Sequence, residues 1–179
     1  MTPPAAILIL TGPPGAGKTT IARRLAETSE TPAVHLHTDD FFAAIRRGYI
    51  EPWLPASHDQ NTTISHAIVA AAGAYAAGGY QVIVDGVVGP WFLDIYREAA
   101  ARLGLALDYV ILRADRATVV ARARDREATP LADYPPNIYE GFADLGPLEP
   151  HAVETGQQAV EPLVASLRRQ LAEGRFRLV

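Results

Sequence analysis

The sequence predicts an α/β fold in which helices cover both faces of a parallel sheet. Two observations support this prediction. Short apolar runs alternate with segments of helical periodicity along all 179 residues, and the runs are continuously apolar, as in strands buried on both faces. The first run, AAILILT, leads directly into a glycine-rich stretch, GPPGAGKTT at 12–20, and a helical pattern follows. This order is typical of open α/β sheets, which bind ligands beyond the carboxyl ends of their strands.

Strands and helices are predicted in alternating order. The strands lie at about 5–11, 33–37, 80–85, 106–113 and 150–154, and the helices at about 17–29, 39–48, 61–77, 91–103, 115–128 and 156–173. Asn61 and Asp115 are predicted helix N-caps, and Pro90 stands where the first turn of a helix tolerates proline. Two proline-containing segments, 48–60 and 127–137, interrupt the alternation, and we expect the second to be a mobile flap. No change of composition divides the chain, so residues 1–179 are predicted to form one domain.

The composition argues against several classes of function. A net charge of -4 gives no reason to expect a nucleic-acid partner bound by bulk electrostatics. The sequence contains no Cys, which excludes disulfides and thiol chemistry and fits a reducing compartment. It has no uninterrupted apolar span of about 18 residues, and its first residues, MTPPAAILIL, carry no basic region before the apolar run. We therefore expect no membrane partner and a cytoplasmic location.

The stretch GPPGAGKT matches the phosphate-binding pattern G-x-x-x-x-G-K-[ST], with the strand before it and the helix after it that the pattern requires. Its glycines let backbone amides turn inward around phosphate oxygens. Lys18 is predicted to reach the outer phosphates, and Thr19 to offer its hydroxyl to Mg²⁺. Lys18 is the single Lys of a chain with 15 Arg, which suggests a position that needs a compact ammonium. The predicted nucleotide-binding residues are Gly12, Pro13, Pro14, Gly15, Ala16, Gly17, Lys18, Thr19 and Thr20.

Two carboxylates follow the second predicted strand, in VHLHTDDFF at 34–42. Residues beyond the carboxyl end of a strand face the ligand crevice, where an acceptor hydroxyl would meet the terminal phosphate. We interpret Asp39 as the base towards that hydroxyl and Asp40 as a helix cap or a substrate contact, with the exchanged assignment as the alternative. His35 and His37 lie on a presumed buried strand, and we expect them to pack in the core or to support other residues rather than to bind a ligand.

A third apolar strand, VIVDG at 82–86, also ends in a carboxylate. In proteins with a phosphate loop, an Asp at this place holds the Mg²⁺ shell, so Asp85 is predicted to take that role, with a turn-forming Asp as the alternative. Arg122 and Arg126 stand four residues apart in ADRATVVARARDRE at 114–127, on one face of a predicted helix. We expect them to meet the charge of a transferring phosphoryl group when the flap closes, unless that face is simply solvated.

These motifs resemble the small P-loop kinases, and most of all the group that contains chloramphenicol phosphotransferase, gluconate kinase and the zeta toxins. The resemblance extends over the phosphate loop at 12–19, the strand-end Asp at 39, VIVDG at 82–86, LRADRATVVARARDR at 112–126 and NIYEGFADLGPLEPHAVETG at 137–156. It implies a P-loop NTPase three-layer sandwich with a five-stranded parallel sheet and a small lid at about 122–145. It further implies ATP and Mg²⁺ as cofactors, Asp39 as the base, and Arg122 and Arg126 as a phosphate clamp.

The acceptor expected from these motifs is a hydroxyl group of a small molecule. The predicted acceptor-binding residues lie in or beside segments that should ring the cleft, and they are Asp39, Asp40, Phe41, Trp53 and Trp91. The aromatic rings favour an apolar or aromatic alcohol over a bare sugar acid, whereas Arg46 and Arg47 could meet an anionic acceptor. The phosphate loop also resembles that of adenylate kinase. Phe42, predicted to pack, and Ala43 stand where that family has an Arg, which disfavours a nucleoside monophosphate as acceptor.

The predicted function is ATP-dependent transfer of the γ-phosphoryl group to a hydroxyl of an antibiotic-like or metabolite-like molecule. Two alternatives stay open: a nucleoside, nucleotide or sugar-nucleotide kinase, and an ATP-binding module without catalysis. The carboxylate at 39 and the lack of a guanine-reading N-K-x-D motif disfavour the module. The oligomeric state is left unassigned.

Overall fold

The computed structural model of the chain describes residues 6–114, 118, 139–156 and 158–179. The predictions that fall outside the described residues are the helix at 115–128, the Asp115 cap, Arg122, Arg126 and the flap at 127–137. Of the predicted lid, the structure describes the part from 139 onwards. None of the helices in the described part of the chain combines the length and apolar character that crossing a membrane requires.

Five parallel strands form the sheet of the described residues. They are β1 (Ala6–Thr11), β2 (Ala33–His37), β3 (Gln81–Asp85), β4 (Ala106–Arg113) and β5 (Ala152–Glu154). The strand order is β2-β3-β1-β4-β5, with every pairing parallel. This order brings together the carboxyl ends of β1, β3 and β2. The phosphate loop follows β1, Asp85 is the last residue of β3, and the carboxylate pair follows β2. The three predicted parts of the site therefore share one edge of the sheet.

Helices cover both faces of this sheet, as predicted. They are α1 (Lys18–Glu27), α2 (Thr38–Ala43), α3 (His58–Ala77), α4 (Leu93–Leu103) and α5 (Val160–Ala172). One apolar core joins the sheet to α3 and α4 and includes Ile68, Leu93 and Tyr109. A second core joins the opposite face to α1 and α5 and includes Leu25 and Leu167. The predicted three-layer fold class is confirmed. Helices on both faces bury the continuously apolar strands on both sides.

The start of α3 differs from the prediction. The helix begins at His58, directly after a 3₁₀ turn at Pro55–Ser57, and α2 is shorter than expected. Asn61 therefore lies inside the first turn of α3, and its prediction as an N-cap is wrong. Its amide nitrogen donates instead to the Pro52 carbonyl at 2.8 Å and to the Ser57 hydroxyl at 3.0 Å. The residue still organises the helix start, but by binding the preceding loop.

The segment 48–60 is a closed loop rather than an open irregular stretch. The Gln60 amide donates to the Ile50 carbonyl at 2.7 Å, and the Ile50 N–H donates to Gln60 Oε1 at 2.8 Å. The Ser57 hydroxyl donates to the Pro52 carbonyl at 2.8 Å. These bonds tie the first half of the segment to the start of α3 and give its side chains a defined position.

Candidate active site

The loop between β1 and α1 is shaped by its glycines. Gly12, Gly15 and Gly17 have φ values of 140°, 78° and 92°, where a residue with a side chain would be strained. A Cβ on Gly12 would also stand 2.0 Å from the Leu112 carbonyl oxygen of β4. The phosphate loop therefore starts against the neighbouring strand, in space that only glycine fits.

Lys18 is the first residue of α1, and only 8% of its surface is exposed. Its Nζ donates to the Pro13 carbonyl at 2.9 Å, so the side chain folds back over the loop. A charge that is shielded from water interacts more strongly with another charge than an exposed one does. This position suits the predicted role of binding the outer phosphates of a nucleotide.

Asp85 ends β3 and is fully buried. Its Oδ2 accepts from the Thr19 hydroxyl at 2.7 Å, while His35 Nε2 and His37 Nδ1 lie 2.6 and 2.8 Å from its Oδ1. Burial alone would raise the pKa of Asp85, but the bonds from His35, His37 and Thr19 outweigh it and hold the pKa well below its usual range. A hydroxyl next to an ionised carboxylate supplies the oxygen ligands that Mg²⁺ prefers. The Thr19 and Asp85 side chains therefore fit the metal that the phosphate loop implies.

His37 connects Asp85 to Asp39. While its Nδ1 faces Asp85, its Nε2 lies 3.3 Å from Asp39 Oδ2. The hydrogen bond to Asp39, followed by that to Asp85, raises the pKa of His37 to about 10. The ring lies between two carboxylates, and its hydrogen bond is the main cause that lowers the pKa of Asp39. Of the two predicted roles for His35 and His37, their contacts match support of other residues.

The two carboxylates after β2 lie in the first turn of α2, and they differ in their contacts. Asp39, whose side chain is 72% exposed, contacts His37. The N-cap position of α2 belongs to His37, and no side chain caps this helix end, so the interpretation of Asp40 as a cap is wrong. Strand β2 ends at His37 and the helix begins at Thr38, so Asp40 is the third helical residue and lies three positions after the N-cap. Its other predicted role, a substrate contact, stays a prediction.

The aromatic residues predicted to bind the acceptor do not form one group. Phe41 and Phe42 are half-buried and pack against the core shared by α3 and α4. Packing was expected of Phe42 but not of Phe41. Trp53 is half-buried in the closed loop, and Arg46 and Arg47 are exposed.

Trp91 is the most open of these aromatic side chains, with 56% of its surface exposed. Its ring lies over Gly89, where a Cβ would come within 2.3 Å of it, and its centroid is 6.0 Å from that of Phe142. The next residue, Phe92, stacks on His58 with centroids 6.1 Å apart and planes 24° apart. The turn after β3 is thus held beside the start of α3. Sequence reasoning missed His58, because the pairing is non-local and leaves no local pattern.

Side chains from two strands of the sheet hold the backbone between Asp85 and Trp91 in place. The Val88 N–H donates to the Thr11 hydroxyl at 2.9 Å, and the Tyr109 hydroxyl donates to the Val88 carbonyl at 2.7 Å. Thr11 and Tyr109 are fully buried on β1 and β4. Two strands therefore position the segment that carries Trp91, a function that the sequence alone did not assign to either residue.

The sheet order, the phosphate loop after β1 and the buried Asp at the end of β3 define the fold of a small P-loop kinase. Residues 7–135 match a family model described as an AAA domain, and the chain belongs to this family. No curated protein sequence matches the chain.

Solved structures of other proteins, kinases among them, share this fold over almost the whole chain. A sugar kinase from Janibacter sp. HTCC2649 has a TM-score of 0.72 at 20% identity and covers 94% of this chain and 95% of its own. A tunicamycin resistance protein from Deinococcus radiodurans has a TM-score of 0.70 at 17% identity, with coverages of 93% and 95%. A gluconokinase from Sinorhizobium meliloti 1021 has a TM-score of 0.66 at 20% identity, with coverages of 96% and 94%. The predicted resemblance to small P-loop kinases is confirmed.

Proposed function

We propose that the protein is an ATP-dependent kinase that transfers the γ-phosphoryl group to a hydroxyl of a small molecule. One observation carries this proposal: Thr19 is bonded to Asp85, and Asp85 is joined through His37 to Asp39. Side chains suited to the metal and to the acceptor are therefore connected at one edge of the sheet. A module that only binds MgATP would need the phosphate loop and Asp85 but not Asp39.

The surroundings of each residue support a distinct role. Lys18 and the loop amides would bind the phosphates of ATP. Thr19 and Asp85 would hold Mg²⁺, which when bound neutralises charge that develops on the phosphates. Asp39 would align the acceptor hydroxyl and receive its proton late in the transfer. Because the pKa of Asp39 is lowered, alignment is the larger part of this role, which suits a loose transition state.

The predicted phosphate clamp, Arg122 and Arg126, completes the proposal from outside the described residues. Mobile guanidinium groups are expected to stabilise the charge of the transferring group on closure. Their part in the reaction is proposed from the sequence, from their spacing of four residues and from the resemblance to small P-loop kinases.

The acceptor in this proposal is a small hydroxyl compound with an apolar or aromatic face. The similar structures are described as a sugar kinase, a gluconokinase and a tunicamycin resistance protein, all concerned with small molecules. Trp91 presents an open ring beside the end of β3, and Trp53 lies half-buried in the closed loop. A ring of this kind binds an apolar face well, and it adds little for a bare sugar acid.

A screen of ADP release tests the proposal. Purified protein with MgATP is incubated with sugars, sugar acids, shikimate, phenicols, aminoglycosides, tunicamycin and nucleosides, and mass spectrometry identifies any phosphorylated product. Lys18→Ala serves as the blank for contaminating kinases. The proposal expects acceptor-dependent ADP release with a phosphorylated hydroxyl compound. Phosphorylation of nucleosides alone would favour a nucleoside kinase, and tight ATP binding without any transfer would favour the non-catalytic module.

A further inference from the structure

The position of His37 is set by the sheet, whereas that of Asp39 is not. His37 is the last residue of β2 and pairs in register with Asp85 on β3. Asp39 lies two residues later in a helix of six residues, with its side chain largely exposed. An exposed carboxylate on such a short helix has several accessible rotamers, and restricting them requires a contact from a fixed group.

The His37 ring supplies such a contact. Its Nδ1 is 2.8 Å from Asp85 Oδ1, and its Nε2 is 3.3 Å from Asp39 Oδ2. The ring is half-buried, and Asp85 is further held by Thr19 and His35. One rigid plane therefore spans a fully buried carboxylate and an exposed one.

We propose that His37 is a positioning residue that fixes the carboxylate of Asp39 relative to Asp85. This inference rests on the proposed function, in which Asp39 aligns the acceptor hydroxyl and Asp85 serves the metal. Reacting groups must be held within a fraction of an ångström, and a misplacement of about 1 Å can cost about 100-fold in rate. Through His37, the acceptor side of the site takes its position from the sheet rather than from a short helix alone.

The same atoms also allow a competing interpretation. His35, His37 and Asp85 offer three ligand atoms within 4.8 Å of one another, as a transition-metal site would. The distances from the imidazole nitrogens to Asp85 Oδ1, 2.6 and 2.8 Å, are those of hydrogen bonds. Ligands on a metal with bonds of about 2.0–2.1 Å lie roughly 3 Å or more apart.

Two substitutions of His37 separate its two contacts. In His37→Gln the amide nitrogen stands near the place of Nε2 and can still donate to Asp39, whereas in His37→Asn it stands near the place of Nδ1 and can donate only to Asp85. Turnover is measured as ADP release from MgATP, with water and with the fastest acceptor of the screen. We expect His37→Ala and His37→Asn to lose roughly 10- to 100-fold in kcat and His37→Gln to recover most of it. The Kd for MgATP should change less than about threefold, because Thr19 and His35 still hold Asp85.

Double-mutant cycles identify the route. If His37 acts through Asp39, adding His37→Ala to Asp39→Asn costs no further turnover. His35→Ala is the matched control, since its ring contacts Asp85 and not Asp39, and its loss should multiply with that of Asp39→Asn. Multiplicative losses for His37 and Asp39, or equal turnover of the Gln and Asn variants, would overturn the positioning role.

Two further readouts do not depend on turnover. In ¹⁵N-labelled protein, the proton on His37 Nε2 should exchange with water more slowly in the wild type than in Asp39→Ala, which removes the acceptor oxygen. Equal exchange would refute the contact even if no acceptor is ever found, so that failure of the proposed function and failure of this inference are distinguishable. Titration with Zn²⁺ tests the competing site, and one tightly bound ion that is lost in both His35→Ala and His37→Ala would contradict our inference.

Discussion

The two halves of the candidate site differ in how completely their side chains are held. On the nucleotide side, Lys18 and Asp85 are buried, and each has hydrogen-bonding partners in the protein. On the acceptor side, Asp39 and Trp91 are largely exposed. The nucleotide side is thus already organised, and the acceptor side leaves open surface for a molecule that the chain itself does not supply.

Under the proposed function, this difference places the specificity for the acceptor on the open side of the site. Groups that serve ATP and metal are alike in any kinase of this fold, so they can be rigid and fully bonded. Acceptor groups must discriminate among hydroxyl compounds, and discrimination comes from polar and aromatic surfaces that become buried only when the correct molecule binds. His37 is the link between the two sides.

The largest effect is expected on the nucleotide side. Lys18→Ala should reduce nucleotide-dependent turnover by at least about 100-fold, because the buried charge that we propose binds the phosphates is lost. Lys18→Arg is the matched variant and should not restore activity, since a planar guanidinium does not replace a compact ammonium in this loop. Circular dichroism and thermal melting should show a retained fold for both. Near-normal turnover of either variant would mean that the organised side is not the catalytic one.

A smaller effect should appear where the sheet supports the acceptor side. Tyr109→Phe leaves the Val88 carbonyl without its partner and should cost about 1–3 kcal/mol of the free energy of unfolding. It should also raise the KM for the acceptor, because the segment that carries Trp91 is less firmly held. Tyr96→Phe is the control, because it also removes a buried hydroxyl. The burial of that hydroxyl raises the pKa of Tyr96 to about 12. Tyr96→Phe should lower the free energy of unfolding by a similar amount without changing the KM for the acceptor. Equal KM values in Tyr109→Phe and Tyr96→Phe would show that Tyr109 does not affect acceptor binding.

The smallest effect is expected for the most exposed ring. Trp91→Ala should raise the KM for the acceptor several-fold through lost aromatic contact, while the free energy of unfolding changes by no more than about 0.5 kcal/mol. Tyr75, another exposed aromatic residue, lies on α3 and contacts Tyr80, and Tyr75→Ala should leave KM unchanged. Matching KM values for the wild type and Trp91→Ala would remove Trp91 from the acceptor surface.

Sequence reasoning predicted the parts of this site that local pattern encodes. Continuous apolar runs are enough to place strands such as β1 and β3, and the phosphate loop follows from residue types at fixed spacing. The predicted first residue of α3 was wrong, because the helix start depends on hydrogen bonds from Asn61 and Gln60 to the preceding loop. Such bonds leave no periodic pattern in the sequence. The double contact of His37 was also hidden, since it depends on the register between β2 and β3. Two His at alternate positions of one strand were the only hint, because such residues share a face of the sheet.

The central claim, that Asp39 on the open side makes this chain a kinase rather than a nucleotide binder, is tested most directly by comparing Asp39→Asn with Asp40→Asn. Calorimetric titration gives the Kd for MgATP, and acceptor-dependent ADP release gives the rate of transfer. The account predicts that Asp39→Asn binds MgATP within a few-fold of the wild type, while transfer falls by at least about 100-fold, and that Asp40→Asn is much milder. An inactive Asp40→Asn beside a nearly normal Asp39→Asn would exchange the two roles, and unchanged transfer in both variants would contradict the account and favour a binding module.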